Sequence, residues 1–323
     1  MIFRRHVLLG VTKSKSYSQE YLTIESLEDN NVITFETKKS TLTRTIQIST
    51  DKTNWTSYTS STIPPTLATL NTGDKLYVKG SNNNYATSTT DYNYFNSTKQ
   101  FNVYGNIMSL IYGDNFIERT TLPSTYTFCG IFRSSKIVDT SNLILPATTL
   151  TTYCYYWMFR DCTSLTSAPE LPAKTLTNYC YTGMFYGCTS LTNTPKLPAT
   201  TLATSCYHTM FKGCTSLKTA PKLGARTMKQ TCYFGMFQGC TSLTTAPELP
   251  ATTLVQGCYQ YMFYNCTKLN SIKCLATNIS ATKCTQDWVK SVAASGTFTK
   301  AASMTSWTTG TGGIPSGWTV VSE

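Results

Sequence analysis

Apolar and polar residues alternate with a period of two over the first third of the chain. Five segments show this alternation most clearly: YLTIESL, NVITFET, TRTIQIST, DKLYVKG and KQFNVYG. Such alternation is typical of strands with one buried face, and the Asp, Asn and Gly residues between the segments indicate turns. We therefore predict a small all-β sandwich domain over residues 20–104.

A longer pattern, with a period of 26 residues, fills most of the remaining chain. The sequence CYFGMFQGCTSLTTAPELPATTLVQG, which begins at Cys232, represents one unit. Three positions mark five clear copies: Cys154, Cys180, Cys206, Cys232 and Cys258; Cys162, Cys188, Cys214, Cys240 and Cys266; and Leu165, Leu191, Leu217, Leu243 and Leu269. Imperfect copies precede and follow them, which is expected because the terminal repeats of such arrays are usually atypical.

The first piece of each unit is amphipathic. At about 100° per residue, the recurring side chains occupy an arc of about 140°. In the first clear copy they are Cys154, Tyr155, Met158, Phe159, Cys162 and Leu165. This arrangement predicts a short helix with the recurring side chains turned inward, ended by a left-handed cap residue at Gly187, Gly213, Gly239 or Asn265.

The second piece of each unit, SLTxAPxLP, is extended and punctuated by proline. It predicts a strand with a break, because proline cannot donate to a ladder. Alternating strands and helices then predict an α/β repeat solenoid of the leucine-rich-repeat type, with a parallel strand ladder and short helices.

These patterns divide the chain into five parts. They are a docking segment at 1–19, the β-sandwich domain at 20–104, a solenoid start or linker at 105–123, the solenoid at 124–290 and a C-terminal cap at 291–323. Trp307 and Trp318 are predicted to cover the last open edge of the core.

The chain has 13 cysteines, which invite a disulfide, metal or structural interpretation. Their odd number, the absence of Cys-x-x-C and the spacing of eight within each unit favour reduced, buried thiols that stack from unit to unit. Disulfides and metal ligation remain the alternatives. Reduced thiols fit assembly in a cytoplasm.

The positive net charge bears on which ligands the protein can bind. The formal charge is +11, although only 13% of the residues are charged. A basic patch is predicted at Lys196, Lys212, Lys218, Lys222, Arg226 and Lys229. An anionic glycan is the favoured ligand, and nucleic acid is disfavoured because no motif that reads DNA or RNA accompanies the charge. The alternative is that these residues only keep the protein in solution.

Positions that differ between copies are predicted to face solvent, and they are rich in rings. The candidate ligand-binding residues are Tyr156, Trp157, Tyr186, His208, Phe234, Tyr261 and Tyr264. Exposed rings beside polar groups suit contacts with carbohydrate or protein. Packing against a neighbouring subunit is the alternative.

Catalysis has little support in the sequence. The two histidines, His6 and His208, stand in no catalytic motif. A glycosidase with paired carboxylates is the alternative, but the acids of the repeat region are far apart in the repeat order.

No segment reaches the roughly 18 apolar residues of a membrane span, and the apolar run at residues 7–11 is shorter than that of a signal peptide, which has about 7–15. We expect a non-enzymatic protein with no cofactor, no metal, no membrane insertion and no signal peptide.

The motif MF-x-G-C-T-S-L-T-x-A-P-x-L-P-A-T-T-L resembles the repeats of BspA-like leucine-rich-repeat surface proteins. The resemblance covers residues 20–323 and is strongest over 124–290; together with the ending GIPSGWTV, the layout is similar to that of virion or fibre-type proteins of gut Bacteroides phages.

This resemblance implies a phage virion surface protein, a head or tail fibre or decoration component, for host attachment and adhesion to a host-surface glycan or protein receptor. The protein would assemble in the host cytoplasm and dock through residues 1–19 onto capsid or tail proteins; by analogy with phage fibres, a homotrimer is favoured. A bacterial adhesin of the same family, at the cell surface, is the alternative.

Overall fold

The computed structural model describes residues 17–39 and 41–323, and over these residues the chain is nearly all-β. Most of the predicted docking segment, residues 1–16, lies outside the described residues. The first strands are β1 (Leu22–Ser26), β2 (Asn31–Thr37), β3 (Thr45–Ser49), β4 (Thr56–Thr59), β5 (Thr66–Leu70), β6 (Lys75–Gly80), β7 (Asn93–Ser97) and β8 (Phe101–Asn106). The four-residue helix α1 (Ser109–Tyr112) follows. The remaining strands are β9 (Leu143–Ile144), β10 (Ser271–Cys274), β11 (Thr297–Lys300) and β12 (Thr319–Ser322).

Three sheets contain these strands. The largest has the order β4-β3-β6-β1-β8-β9 and is antiparallel except for its last pair, β8 and β9. The second, β5-β2-β7, is antiparallel, and the third, β10-β11-β12, is parallel. Each of the five alternating segments in the sequence contains a strand, and in β2 the buried residues are every second one, including Ile33 and Phe35.

One hydrophobic core runs from the sheets into the repeat units. It extends from Leu22 in β1 to Trp318 near the C-terminus. Phe95 of β7 stacks on Phe132 of the first, imperfect unit at 5.7 Å between ring centroids. At the other end, the ring of Trp307 stacks on Trp288 at 5.6 Å. The strands and the repeat units are therefore packed on each other.

The predicted fold class, an α/β leucine-rich-repeat solenoid behind a sandwich domain, is wrong. Residues 124–290, all of which the structure describes, contain no helix. They also lack the predicted continuous ladder of parallel strands, since most contacts between extended pieces are isolated bridges such as Thr175–Thr201 and Thr219–Thr245. The largest sheet is mixed and takes its last strand from the repeat region, so the first eight strands do not form a separate sandwich.

Left-handed residues explain why no helix forms. Every fourth residue of the amphipathic piece has a positive φ, as in Tyr153 (59°), Trp157 (55°) and Asp161 (60°). A left-handed residue interrupts a right-handed helix, so the piece becomes a series of tight turns. In later units glycine, which adopts this conformation without steric cost, occupies several of these positions, including Gly183 and Gly187.

Backbone hydrogen bonds alternate between two kinds of partner along this piece. The N–H groups of Tyr155 and Phe159 donate to the carbonyls of Cys180 and Met184 in the next unit, at 3.0 and 2.9 Å. The N–H group of Met158, between them, donates within its own unit to Tyr155, three residues back, at 3.3 Å. The same alternation recurs in the following units. In each unit, therefore, alternate backbone N–H groups are hydrogen-bonded to carbonyl groups of the next unit.

The prediction that the recurring side chains turn inward is confirmed. The repeated Cys, Tyr, Met, Phe and Leu residues of all five clear copies have at most 2% of their surface exposed. Phe185, Phe211 and Phe237 form part of one internal column, with successive centroids 5.6 and 5.7 Å apart. A second column contains Tyr155, Tyr181 and the equivalent tyrosines that follow. Stacking of identical rings therefore holds the units in register.

The prediction of reduced, buried thiols is also confirmed, since all thirteen cysteines are free and buried. The second cysteine of each unit has a role that the sequence did not reveal. Its thiol donates to a phenylalanine carbonyl of the preceding unit, as from Cys188 Sγ to Phe159 O at 3.1 Å. Burial raises the pKa of Cys162 to about 12, and it raises those of the other cysteines too, so the thiols stay protonated.

Candidate ligand-binding groove

The variable side chains of the repeat units meet in one groove on the outer surface. Two residues in each four of the turn piece point inward, and the other two face outward. Five of the seven predicted ring residues line this groove, which has a volume of about 690 Å³. They are Tyr156, Trp157, Tyr186, His208 and Phe234.

One flank of the groove is a stack of tyrosines. The rings of Tyr153 and Tyr179 lie 4.6 Å apart and are parallel to within 3°. Tyr126 extends the stack at 4.7 Å. The sequence prediction missed Tyr153 and Tyr179, although their place directly before the first cysteine of two successive copies was a usable signal.

The other flank carries positive charge over aromatic faces. The Arg160 guanidinium lies 4.3 Å from the centroid of Trp157 and 4.6 Å from that of Tyr186. The Lys212 ammonium approaches Tyr186 at 5.3 Å. Asp161 accepts a hydrogen bond from Arg160 Nε at 3.1 Å. This flank therefore places cations beside aromatic rings, where they can interact with an anionic ligand.

Small polar side chains form the floor. Thr182, Ser205 and Thr209 are buried and line the groove between its rings. Thr182 Oγ1 donates to the carbonyl of Ser205 at 2.6 Å. Next to this floor, a Cβ atom on Gly183 would lie 2.6 Å from Trp157 Cδ1, so glycine is what allows the indole to lie across the neighbouring unit.

His208 and Phe234 close one end of the groove. Their rings stack at 4.5 Å and are parallel to within 2°. Burial lowers the pKa of His208 to about 4, and the positive charge of Lys212 acts in the same direction. The imidazole is therefore neutral at pH 7, and it offers a ring face to a ligand rather than a charge.

Two of the seven predicted rings lie beyond the groove. Tyr261 packs edge-on against Phe234 at 5.4 Å, and Tyr264 packs edge-on against Tyr261 at 5.9 Å. They continue the aromatic surface along the next unit without lining the groove. The structure thus brings five predicted residues together around one space and leaves these two outside it.

The predicted basic patch is divided. Lys212 lies next to the groove, where its ammonium approaches the ring of Tyr186. The other five residues are exposed and lie in the extended halves of two units: Lys196, Lys218, Lys222, Arg226 and Lys229. In the described part of the chain no carboxylate pairs with any of the six. Their charge is therefore available to a partner.

The described lining of the groove contains no acidic side chain. Asp161, the neighbour of Arg160 in the chain, accepts a hydrogen bond from the Arg160 side chain. Among residues 17–39 and 41–323, no group of three or more His, Cys, Asp or Glu side chains is placed to hold a metal ion. Over the same residues, no helix has the length and apolar character needed to cross a bilayer.

Comparison with known proteins adds no relative: no family model matches the chain, and no curated protein or solved structure matches it either.

Proposed function

We propose that this chain is a non-enzymatic binding protein of a phage virion surface, a fibre or decoration component that holds a host-surface glycan in its groove. The observation that carries the binding part is the set of aromatic rings around a floor of hydroxyl groups. Ligand sites commonly combine aromatic walls with a few polar groups that fix orientation.

A glycan suits this combination better than a purely apolar ligand does. The C–H faces of a sugar ring can lie on Trp157 or His208, while sugar hydroxyls exchange hydrogen bonds with Thr and Ser side chains, which both donate and accept. The cations of one flank add attraction for an acidic sugar.

The virion location is supported only by the resemblance of the repeats and of the chain layout to phage proteins. A bacterial surface adhesin of the BspA-like type is the second candidate on the same ground. Quantitative mass spectrometry separates the two: a fixed copy number in purified virions is expected. Recovery only in cell-envelope fractions would favour the adhesin.

Binding is tested with purified capsular polysaccharide of the host and the whole protein. We expect Trp157→Ala to weaken binding about tenfold, since a ring contact is worth about 0.5–1.5 kcal/mol beyond area burial and 1.4 kcal/mol is tenfold. Tyr264→Ala, which removes a ring outside the groove, is the matched control and should bind as the wild type does. Equal binding by Trp157→Ala and the wild type would contradict the proposal.

A further inference from the structure

One repeat position on the outer face contains a gap in a series of rings. The residue two places after the first cysteine is Tyr156 in one unit, Thr182 in the next, and then His208 and Phe234. Phe234 covers one face of the His208 ring at 4.5 Å. The opposite face of His208 is therefore turned toward Thr182, which supplies no ring at this repeat position. The indole of Trp157 lies to one side of it, against Gly183.

The width of this gap follows from the spacing of the units. Outer rings in adjacent units stack at 4.5 to 4.7 Å. Two steps of about 4.8 Å separate units that are not adjacent, which gives about 9.6 Å across the gap. A flat ring with a carbon contact of about 3.5–4.0 Å on each side fills only about 7–8 Å. A puckered sugar ring is thicker and fills the space better.

The polar groups around the gap indicate the kind of sugar. Thr182 and Ser205 supply hydroxyl groups at its floor. Arg160 uses Nε for Asp161, and among the described residues its two terminal nitrogens have no acceptor. A guanidinium edge of this kind binds a carboxylate through two parallel hydrogen bonds. Lys212, on the same flank, adds a second positive charge.

We propose that the gap above Thr182 is a subsite for one pyranose unit that carries a carboxylate. The sugar ring stacks on the open face of His208, and its carboxylate pairs with Arg160. This inference rests on the proposed glycan-binding function and deepens it, because it names the class of sugar and the place where that sugar binds.

The test fills the gap with a side chain. Thr182→Phe completes the series of rings, whereas Gln260→Phe adds a ring at the same repeat position on the far side of Phe234 and leaves the gap open. Binding of methyl β-glucuronide and of methyl β-glucoside is followed by saturation-transfer NMR and calorimetry on the whole protein. We expect Thr182→Phe to lose at least about tenfold in glucuronide affinity, which is about 1.4 kcal/mol, and Gln260→Phe to bind as the wild type does.

Two further variants keep the test decisive if Thr182→Phe does not fold. His208→Ala removes the stacking face and should weaken both sugars. Arg160→Gln should remove the preference for glucuronide over glucoside, because it removes the bidentate partner of the carboxylate. Unchanged binding in both variants would overturn the subsite.

The outcomes for the subsite and for the proposed function are distinct. If the wild type binds host polysaccharide and Thr182→Phe binds it and the glucuronide equally well, the subsite is wrong and the groove function stands. If the glucuronide binds at the gap but no host polysaccharide binds, the subsite stands and the host-surface function is wrong. If the wild type binds no glucuronide, the subsite is overturned.

Discussion

The strands of residues 22–106 and the repeat units of residues 124–290 bury similar apolar side chains but satisfy their backbones in different ways. In the largest sheet, β1 lies between β6 and β8, and each pairing joins two segments with unrelated sequences. In the repeat region, alternate N–H groups bond to a carbonyl 25 residues later, in a near copy of the same segment. Register in the sheets therefore depends on particular strand pairs, whereas register in the repeats depends on a constant unit length.

The largest expected effect comes from changing that length. Deleting residues 206–231 removes one unit and joins Ser205 directly to Cys232, so every column of stacked side chains is preserved. Since repeat arrays gain stability mainly from contacts between neighbouring units, we expect this protein to fold cooperatively with a modest fall in Tm. Deleting residues 206–218, half a unit, should abolish cooperative folding because inward and outward residues would then face each other.

Near-UV circular dichroism during thermal unfolding measures both deletions. A deletion of β6 (Lys75–Gly80) extends the comparison to the sheets, where no second copy can replace a strand that pairs with both β1 and β3. We expect that protein not to fold. Equal Tm values for the whole-unit and half-unit deletions would contradict the dependence on unit length.

The same contrast explains which parts of the fold could be predicted. Alternation with a period of two identified the segments that contain β1, β2, β3, β6 and β8. It missed β4, β5 and β7. β4 is largely exposed, and two of the three buried residues of β7 are the polar Asn93 and Ser97. The association of β9 with β8 could not be foreseen, because it joins residues far apart in sequence through a parallel pair of only two residues.

In the repeat region the period was misjudged. The inward residues Cys154, Met158 and Cys162 are spaced by four. At about 100° per residue, four residues advance about 40° beyond one turn, so two steps drift by about 80° and still fit within an arc of about 140°. A helical wheel therefore could not exclude a four-residue pattern over so short a piece. The usable signal was glycine at the same spacing, as in Gly183 and Gly187.

The groove was partly predictable for a related reason. Variation between copies identified side chains that face outward, and five of the seven chosen rings meet in one place. The floor was missed because small residues form it. Thr182 and Gly183 leave space in the groove, since they are smaller than Tyr156 and Trp157 at the equivalent positions of the preceding unit. Arg160 was missed because its effect comes from lying over two rings, which only the structure brings together.

A smaller effect is expected from a single side chain in the internal column. Phe211 stacks between Phe185 and Phe237, and Phe211→Ala should cost about 3–5 kcal/mol through lost contacts and an unfilled cavity. Amide hydrogen exchange should increase mainly at the two interfaces that this ring spans, as at the N–H of Phe185, which bonds to Met210 O.

Phe234→Ala is the matched control on the outer face. It removes a stacked but partly exposed ring and should cost about 1 kcal/mol. In Phe211→Ala, amide exchange in β1 and β6 could instead increase as much as it does in the repeat units next to Phe211. That result would show that the sheets and the repeats open together, and it would contradict the difference between the two regions.

The smallest effect concerns a hydroxyl group that the repeat buries without a partner. Tyr181 is fully buried in the internal tyrosine column, and its hydroxyl makes no hydrogen bond within the described part of the chain. An unpaired buried polar group costs about 1–3 kcal/mol, so Tyr181→Phe should raise the free energy of unfolding, by up to about 1 kcal/mol after the loss of packing around the oxygen. The first, imperfect unit already has Phe128 at the equivalent place, where it stacks on Tyr155 at 5.8 Å.

Tyr233→Phe, in the same column, is the control because its hydroxyl is not among the unsatisfied buried groups. Chemical denaturation of the two variants compares them directly, and Tyr181→Phe should be the more stable. If Tyr181→Phe is less stable than the wild type, the hydroxyl has a partner such as a bound water. The repeat core would then rely on polar contacts as the sheets do at Asn93, whose buried amide donates to Leu42 O at 3.0 Å.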